Sequence, residues 1–245
     1  MNTNTPNTQH SRNILYRLPL VQKLGLRLIV GLLVTIACSW LFYSIAEDVV
    51  EKDRLVAFDI ATANALHAAA TPTSTAVFEF ISWLGLPGIW FVGMFLGVYF
   101  VSKNERLNLA ALVFALIGGL ILNSTLKLLF ARDRPVFIDP LVIEQNFSFP
   151  SGHAMLSLIG YGFLTYFLLK GLRNQIARIL LSVAMILLVI LIGTSRVTLG
   201  VHYLSDVIAG FAAGTVWLMS CFIALNGIYR RRRRKSAPTS AATVS

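Results

Sequence analysis

Charge is what this sequence has least of. Only 13% of its 245 residues are Asp, Glu, Lys or Arg, and 56% are hydrophobic, whereas a soluble domain carries roughly 25% charged residues. With a mean hydropathy of +0.71, the composition excludes a soluble enzyme and implies an integral membrane protein. Cysteine is scarcer still. Cys38 and Cys221 both lie inside apolar runs, where they pack as small hydrophobes rather than pair as a disulfide. No internal repeat is present, and the first apolar run continues into "FYSIAEDVV" without a small-residue cleavage site, which favours a retained helix over a signal peptide. Charges within the apolar runs are few, which argues against a transporter with a charged pathway through the bilayer.

What the chain does have is six apolar runs, near 26–46, 77–101, 107–130, 154–171, 178–194 and 203–228, and a spanning helix needs about 20 such residues. The expected fold is all-α, an integral membrane bundle of six transmembrane helices over residues 26–229. Basic, disordered cytoplasmic segments at 1–25 and 230–245 are expected to flank it. Gly85, Pro87 and Gly88 interrupt the second run and mark a break or the true start of its helix. The longest connection, 48–76, mixes Asp53, Arg54 and Asp59 with Leu55, Phe58 and Leu66 and reads as an interfacial helix.

The bias of lysine and arginine orients the bundle. Arg12, Arg17, Lys23, Arg27, Lys103, Arg106, Lys170, Arg173, Arg178, Arg230 to Arg234 and Lys235 fall on one side, 15 of the 21 basic residues, and that side is read as cytoplasmic. Much of the net charge of +10 is therefore a topology signal. The run "YRRRRRK" is read as a positive-inside anchor touching anionic lipid rather than as a nucleic-acid site.

The six remaining cations fall on the other side, and Lys127, Arg134 and Arg196 sit there in or near three polar patches. In "KLLFARDRP", Lys127 and Arg134 are seven residues apart, close to two helical turns, so one helix face is expected to carry both before Pro135 ends it. The second patch is "PSGH" at 150–153, and the third is "SRVTLGVHYLSD", in which His202 and Asp206 stand at i, i+4. Between His153 and Ser195 lie 41 residues, about 60 Å of helix, or roughly two crossings of the hydrocarbon core. All three patches are thus expected at one face. Each has a plain structural reading by itself: a snorkelling lysine, a helix cap, a histidine hydrogen bond. Together they set fixed cations and the N–H groups of a helix start around two histidines, an arrangement suited to phosphate.

These residues match a known pattern. Lys127 with Arg134 and Pro135, then Pro150, Ser151, Gly152 and His153, then Ser195, Arg196, His202 and Asp206 resemble the three-part signature of the type 2 phosphatidic acid phosphatase superfamily. The resemblance implies that His202 is the nucleophile that forms a phosphohistidine, with Asp206 holding its tautomer. It implies that His153 is the general acid and then the base for water, and that Lys127, Arg134, Ser151, Gly152 and Arg196 bind the phosphoryl oxygens. No metal and no cofactor are expected. The substrate is expected to be a lipid phosphate or diphosphate such as phosphatidate, phosphatidylglycerol phosphate or undecaprenyl diphosphate. The other partners are membrane lipids, with no nucleic acid. Only 14 residues separate Pro135 from Pro150, too few for a lid domain. A lipid phosphotransferase using the same site, and a non-enzymatic lipid-binding or flipping protein, remain the alternatives.

Overall fold

The structure, a computed structural model, describes residues 8–52 and 54–235, with side chains from 29–52 and 55–232. Among these residues the chain folds into eight helices: α1 (Thr8–Glu51), α2 (Arg54–Ala68), α3 (Pro72–Trp83), α4 (Leu86–Ser102), α5 (Arg106–Phe130), α6 (Gly152–Gly171), α7 (Gln175–Thr198) and α8 (Leu204–Lys235). The protein is all-helical, and six segments are long and apolar enough to cross a membrane: Ile29–Glu51, Pro72–Ser102, Arg106–Phe130, Gly152–Gly171, Gln175–Thr198 and Leu204–Arg232. Each overlaps one of the six expected runs. Helix α1 begins at Thr8 and α8 runs to Lys235, inside the two flanking segments expected to lack order. Residues 1–7 and 236–245 lie outside the described residues.

The chain packs as two units, residues 1–37 and 38–245. The first holds the N-terminal length of α1. The second holds the helical bundle, whose centre is α6, packed against α4, α5, α7 and α8. Met155, Ile159 and Phe163 of α6 are wholly buried, while Leu128, Leu129, Phe95 and Leu180 on other helices are largely exposed, the apolar exterior that a bilayer requires. Small residues suit such a centre, because in lipid the helices are held by close packing rather than by hydrophobic burial.

Of the two readings open at Gly85–Gly88, a break or a helix start, the structure shows a break within the second spanning segment. Thr71 and Ser74 form a capping box that starts α3, with Pro72 in its first turn. Trp83 ends α3, and α4 restarts after Gly85 with Pro87 in its first turn. The break frees the Leu84 carbonyl, which accepts a hydrogen bond from Tyr161 Oη at 2.7 Å, so this acceptor is not stranded in the bundle. It also brings the backbone against the first turn of α6: a Cβ on Gly85 would lie 2.7 Å from His153 Cδ2. Glycine is needed there for space.

Helix α2 belongs to the long connection read as an interfacial helix. Its Leu55–Ala68 stretch is apolar but too short to span. Behind it, Ile45, Ala46 and Val49 of α1 pack with Phe149 and Ala209, and the rings of Phe42, Phe130 and Phe149 meet with centroids 5.1–6.1 Å apart. This cluster seats the segment that precedes α6.

Candidate active site

Buried polar residues gather at the end of the bundle where α5 and α7 stop and α6 and α8 start. Ser82, Asn123, Ser148, Ser151, Arg196, His202, Ser205 and Asp206 are all at most 5% exposed. Burying this many polar groups is tolerable only if they satisfy one another or a ligand.

Helix α5 brings Lys127 in its last turn and ends at Ala131, which adopts a left-handed conformation. This stop corrects the expectation that Lys127 and Arg134 share a helix face: Arg134 lies in the loop beyond. It returns to the site by donating to Asn146 O at 2.5 Å and Val201 O at 2.6 Å, while Lys127 donates to the Phe147 carbonyl. Ser148 N donates to Arg132 O at 2.8 Å and closes the loop. Phe149–Pro150 is a cis peptide, and Asn123 Nδ2 donates to Pro150 O at 3.3 Å.

Ser151 then caps α6, its hydroxyl accepting from Ala154 N at 3.4 Å, while Ser151 N donates to Asp206 O at 2.9 Å. The N–H groups of Gly152 and His153 have no partner among the described residues. They are donors left for an anion at the positive end of the helix.

Helix α7 delivers Arg196 and stops two residues later. Gly200, at φ +72°, takes the left-handed conformation that turns the chain, so that both Val201 N and His202 N donate to Arg196 O at 3.2 Å. Helix α8 starts at Leu204, so the His202–Asp206 contact is made across the α8 start and not along one helix face. His202 Nδ1 lies 3.3 Å from Asp206 Oδ2. With Asp206 as a carboxylate, the Nδ1–H donates, and Nε2 keeps its lone pair for the other side of the ring. That side faces Arg134, whose Nη1 is 3.3 Å from Nε2. Burial first, then the positive charges of Arg134 and Arg196, outweigh the opposing pull of Asp206 and push His202 down from 6.5 to about 4. The ring is therefore neutral at pH 7.

The structure brings together all eight residues expected in the site. His153 lies within electrostatic reach of Arg196, His202, Lys127 and Arg134, and Ser151 and Gly152 form the start of its helix. Several participants were not foreseen. Glu144, from the loop before α6, joins Arg134 Nη2 at 2.8 Å and also pairs with Arg196 Nη2. Burial pushes its carboxyl upward, but Arg196 and Arg134 more than offset this and hold it below the usual range. Arg196 Nη1 donates instead to Ser82 Oγ at 2.5 Å. Its Nε is buried without a hydrogen bond among the described residues. Arg132, two residues from Arg134, spans Asp206 and Asp59. A second arginine in "ARDRP" was the one signal in the sequence for it. Asp59 and Glu144 carried none.

A carboxylate is held between two guanidiniums, one of which lies beside an imidazole nitrogen, so these side chains can hold an oxyanion. Among the described residues no group of three or more His, Cys, Asp or Glu is arranged to hold a metal; the donors are cations and N–H groups.

Comparison with known proteins identifies the family. The chain is 35% identical over 185 residues to phosphatidylglycerophosphatase B of Bacillus subtilis, covering 71% of this chain and 87% of the relative. It is 26% identical over 184 residues to an undecaprenyl-diphosphatase of Sulfolobus acidocaldarius, covering 73% and 84%. The crystal structure of a transmembrane PAP2 type phosphatidylglycerolphosphate phosphatase from Bacillus subtilis superposes with a TM-score of 0.67 at 28% identity, covering 80% of this chain and 96% of that one. Residues 108–230 match the family model of the PAP2 superfamily, and the chain is a multi-pass membrane member of that family.

Proposed function

We propose that the protein is a lipid phosphatase that hydrolyses phosphate monoesters or diphosphates of lipids, of the phosphatidate, phosphatidylglycerol phosphate and undecaprenyl diphosphate class, through a phosphohistidine on His202. The observation that carries this reading is the Arg134–Glu144–Arg196 bridge beside His202 Nε2. A phosphoryl group that takes the place of the Glu144 carboxylate meets the same guanidiniums, the Gly152 and His153 N–H groups, and an imidazole lone pair. The names of the relatives, a phosphatidylglycerophosphatase and an undecaprenyl-diphosphatase, support the substrate class.

The chemistry follows from the contacts. His202 Nε2 attacks phosphorus, the bond to the lipid oxygen breaks, and His153 gives that oxygen its proton. Asp206 accepts the Nδ1–H and stabilises the ring as it gains positive charge. Lys127, Arg134, Arg196 and the α6 N-terminus hold the equatorial oxygens as charge builds. Water then attacks phosphorus as His153 takes its proton, the phosphorus–nitrogen bond breaks with the electron pair returning to His202 Nε2, and phosphate leaves. The lysine and arginine bias supports a site at the extracytoplasmic face, with both termini in the cytoplasm.

The test is to quench a reaction with phosphorus-labelled lipid phosphate and look for label on the protein. A phosphohistidine is stable to base and labile to acid, and the label should vanish in His202→Ala together with turnover. Turnover by His202→Ala at the native rate would defeat the mechanism.

A further inference from the structure

Asp59 is buried to 1% exposure on α2, the short helix of the long connection, which supplies none of the signature residues. A carboxylate is not buried at such a position without strong partners. Its partners lead straight to the nucleophile. Asp59 Oδ1 accepts from Ser205 N at 3.0 Å. Asp59 Oδ2 accepts from Arg132 Nη2 at 2.8 Å and from the Ser205 hydroxyl. Arg132 Nη1 donates in turn to Asp206 Oδ1 at 2.6 Å and to Ser205 Oγ at 2.8 Å, and its guanidinium lies 4.2 Å from the centre of the Tyr203 ring.

Asp206 therefore divides its two oxygens. Oδ1 faces Arg132, while Oδ2 takes His202 Nδ1, the Ser148 hydroxyl and Tyr203 N. If Arg132 answered to Asp206 alone, the guanidinium and the carboxylate would cancel, and the histidine would face a neutral pair. With Asp59 on the far side, the row Asp59–Arg132–Asp206 carries two negative charges and one positive. The net charge of minus one sits directly behind the Nδ1 of a ring that becomes cationic when its Nε2 takes a phosphoryl group. In a buried site such a difference is weakly screened.

We infer that Asp59 is a positioning residue for the nucleophile: by sharing Arg132 with Asp206 it fixes the Asp206 carboxylate toward His202 and leaves a net negative charge behind the ring. The inference rests on the reading of His202 as nucleophile. It gives α2 a part in catalysis through Arg132, although α2 itself brings no residue to the phosphate.

The experiment uses the purified full-length chain in detergent with a short-chain phosphatidate, and compares Asp59→Asn, Arg132→Gln and the double variant. Asp59→Asn should lower kcat on the order of tenfold, the effect of about one pKa unit at the ring, with KM changed less than about twofold because no phosphate contact is lost. The double variant removes one charge of each sign and restores minus one behind His202, so its kcat should rise above that of Asp59→Asn. A purely architectural role would make the double variant worse than either single change. Unchanged kcat in Asp59→Asn, or a double variant worse than both singles, overturns the inference. Should Asp59→Asn fail to fold, Arg132→Gln carries the test, because it removes the guanidinium between the two carboxylates and leaves minus two behind His202. The acid limb of its kcat profile should move to higher pH, and an unmoved limb overturns the inference. His202→Ala is measured alongside. Activity there would refute the nucleophile itself, whereas an inactive His202→Ala beside an unimpaired Asp59→Asn would refute only the role of Asp59.

Discussion

Glu144→Gln is the most direct test of where phosphate binds. In the structure the Glu144 carboxylate, with its side chain 29% exposed, bridges Arg134 and Arg196, so a phosphate bound by both arginines, as proposed, has to displace it. A hydrogen bond to a charged group contributes about 1.5–3 kcal/mol when buried, and an exposed ion pair about 0–1. At this partial exposure about 1 kcal/mol for each arginine is reasonable, or about 2 kcal/mol of competition against the ligand. Glutamine keeps the shape and removes the charge. Since each 1.4 kcal/mol is tenfold in affinity, the variant should bind inorganic phosphate about 30-fold more tightly. The assay is competitive inhibition of lipid phosphate hydrolysis by inorganic phosphate at pH 7, where the depressed Glu144 carboxyl is ionised. The inhibition constant should fall, and kcat should fall with it once phosphate release becomes limiting. An inhibition constant that stays the same or rises would show that phosphate does not occupy the place of the carboxylate, and the site would have to be redrawn.

Other outcomes follow from the same geometry. His153→Ala should depress release of a lipid alkoxide far more than release of an aryl phenolate in single-turnover measurements, because the general acid matters most for poor leaving groups; equal losses would remove His153 from that role. His202, pushed down to about 4, should stay neutral and reactive at pH 5.5, and the first cleavage step should fail as pH drops through about 4. Its folded value lies below the unfolded value near 6.5, so the unfolded chain binds more protons between the two. Thermal stability should therefore be fully present above about 6.5 and decline as pH falls across that window, a slope that His202→Ala should flatten. With Cys38 and Cys221 replaced, a cysteine at Asn146 should react with an impermeant thiol reagent in intact cells and one at Lys170 should not; the reverse pattern would invert the proposed orientation. Gly85→Ala places a methyl 2.7 Å from His153 Cδ2, and should cost more activity than Gly31→Ala, which meets nothing within 4 Å.

Much of the fold was legible because the bilayer imposes a simple rule on sequence. A helix that spans must be apolar for about 20 residues, and six runs met that condition. The interruption at Gly85 and Pro87 was equally readable, since both residues break helices for reasons local to the backbone. The ends were harder to read. Helix α5 stops at Phe130, although Lys127 to Arg134 contains no breaker before Pro135. The stop comes from Ala131 in a left-handed conformation, which alanine does not favour, so only its tertiary surroundings account for it. Likewise α8 starts after His202, and the His202–Asp206 spacing suits a helical turn or the turn before a helix equally well.

The site divides along a similar line. Residues proposed to meet the phosphate have to be of particular chemical types, and Lys127, Arg134, His153, Arg196 and His202 stood out because cations and imidazoles are costly near a membrane core. Residues that hold those groups in place obey no such restriction. Asp59 meets Arg132 across 73 positions of chain and Ser205 across 146, and on α2 it looks like any polar residue of an interfacial helix. Glu144 is an acidic residue in a loop, with nothing local to distinguish it from Asp139. Each acquires its meaning only when the loop before α6 folds back over the ends of α7 and α8. Burial then gives these distant carboxylates their force, because a charge that water does not screen has to be answered by another. The arginines of this site answer to Asp59, Asp206 and Glu144 at once. In the proposed mechanism a substrate phosphate enters that balance by taking over the partners of Glu144, while Asp59 and Asp206 stay paired with Arg132 behind His202.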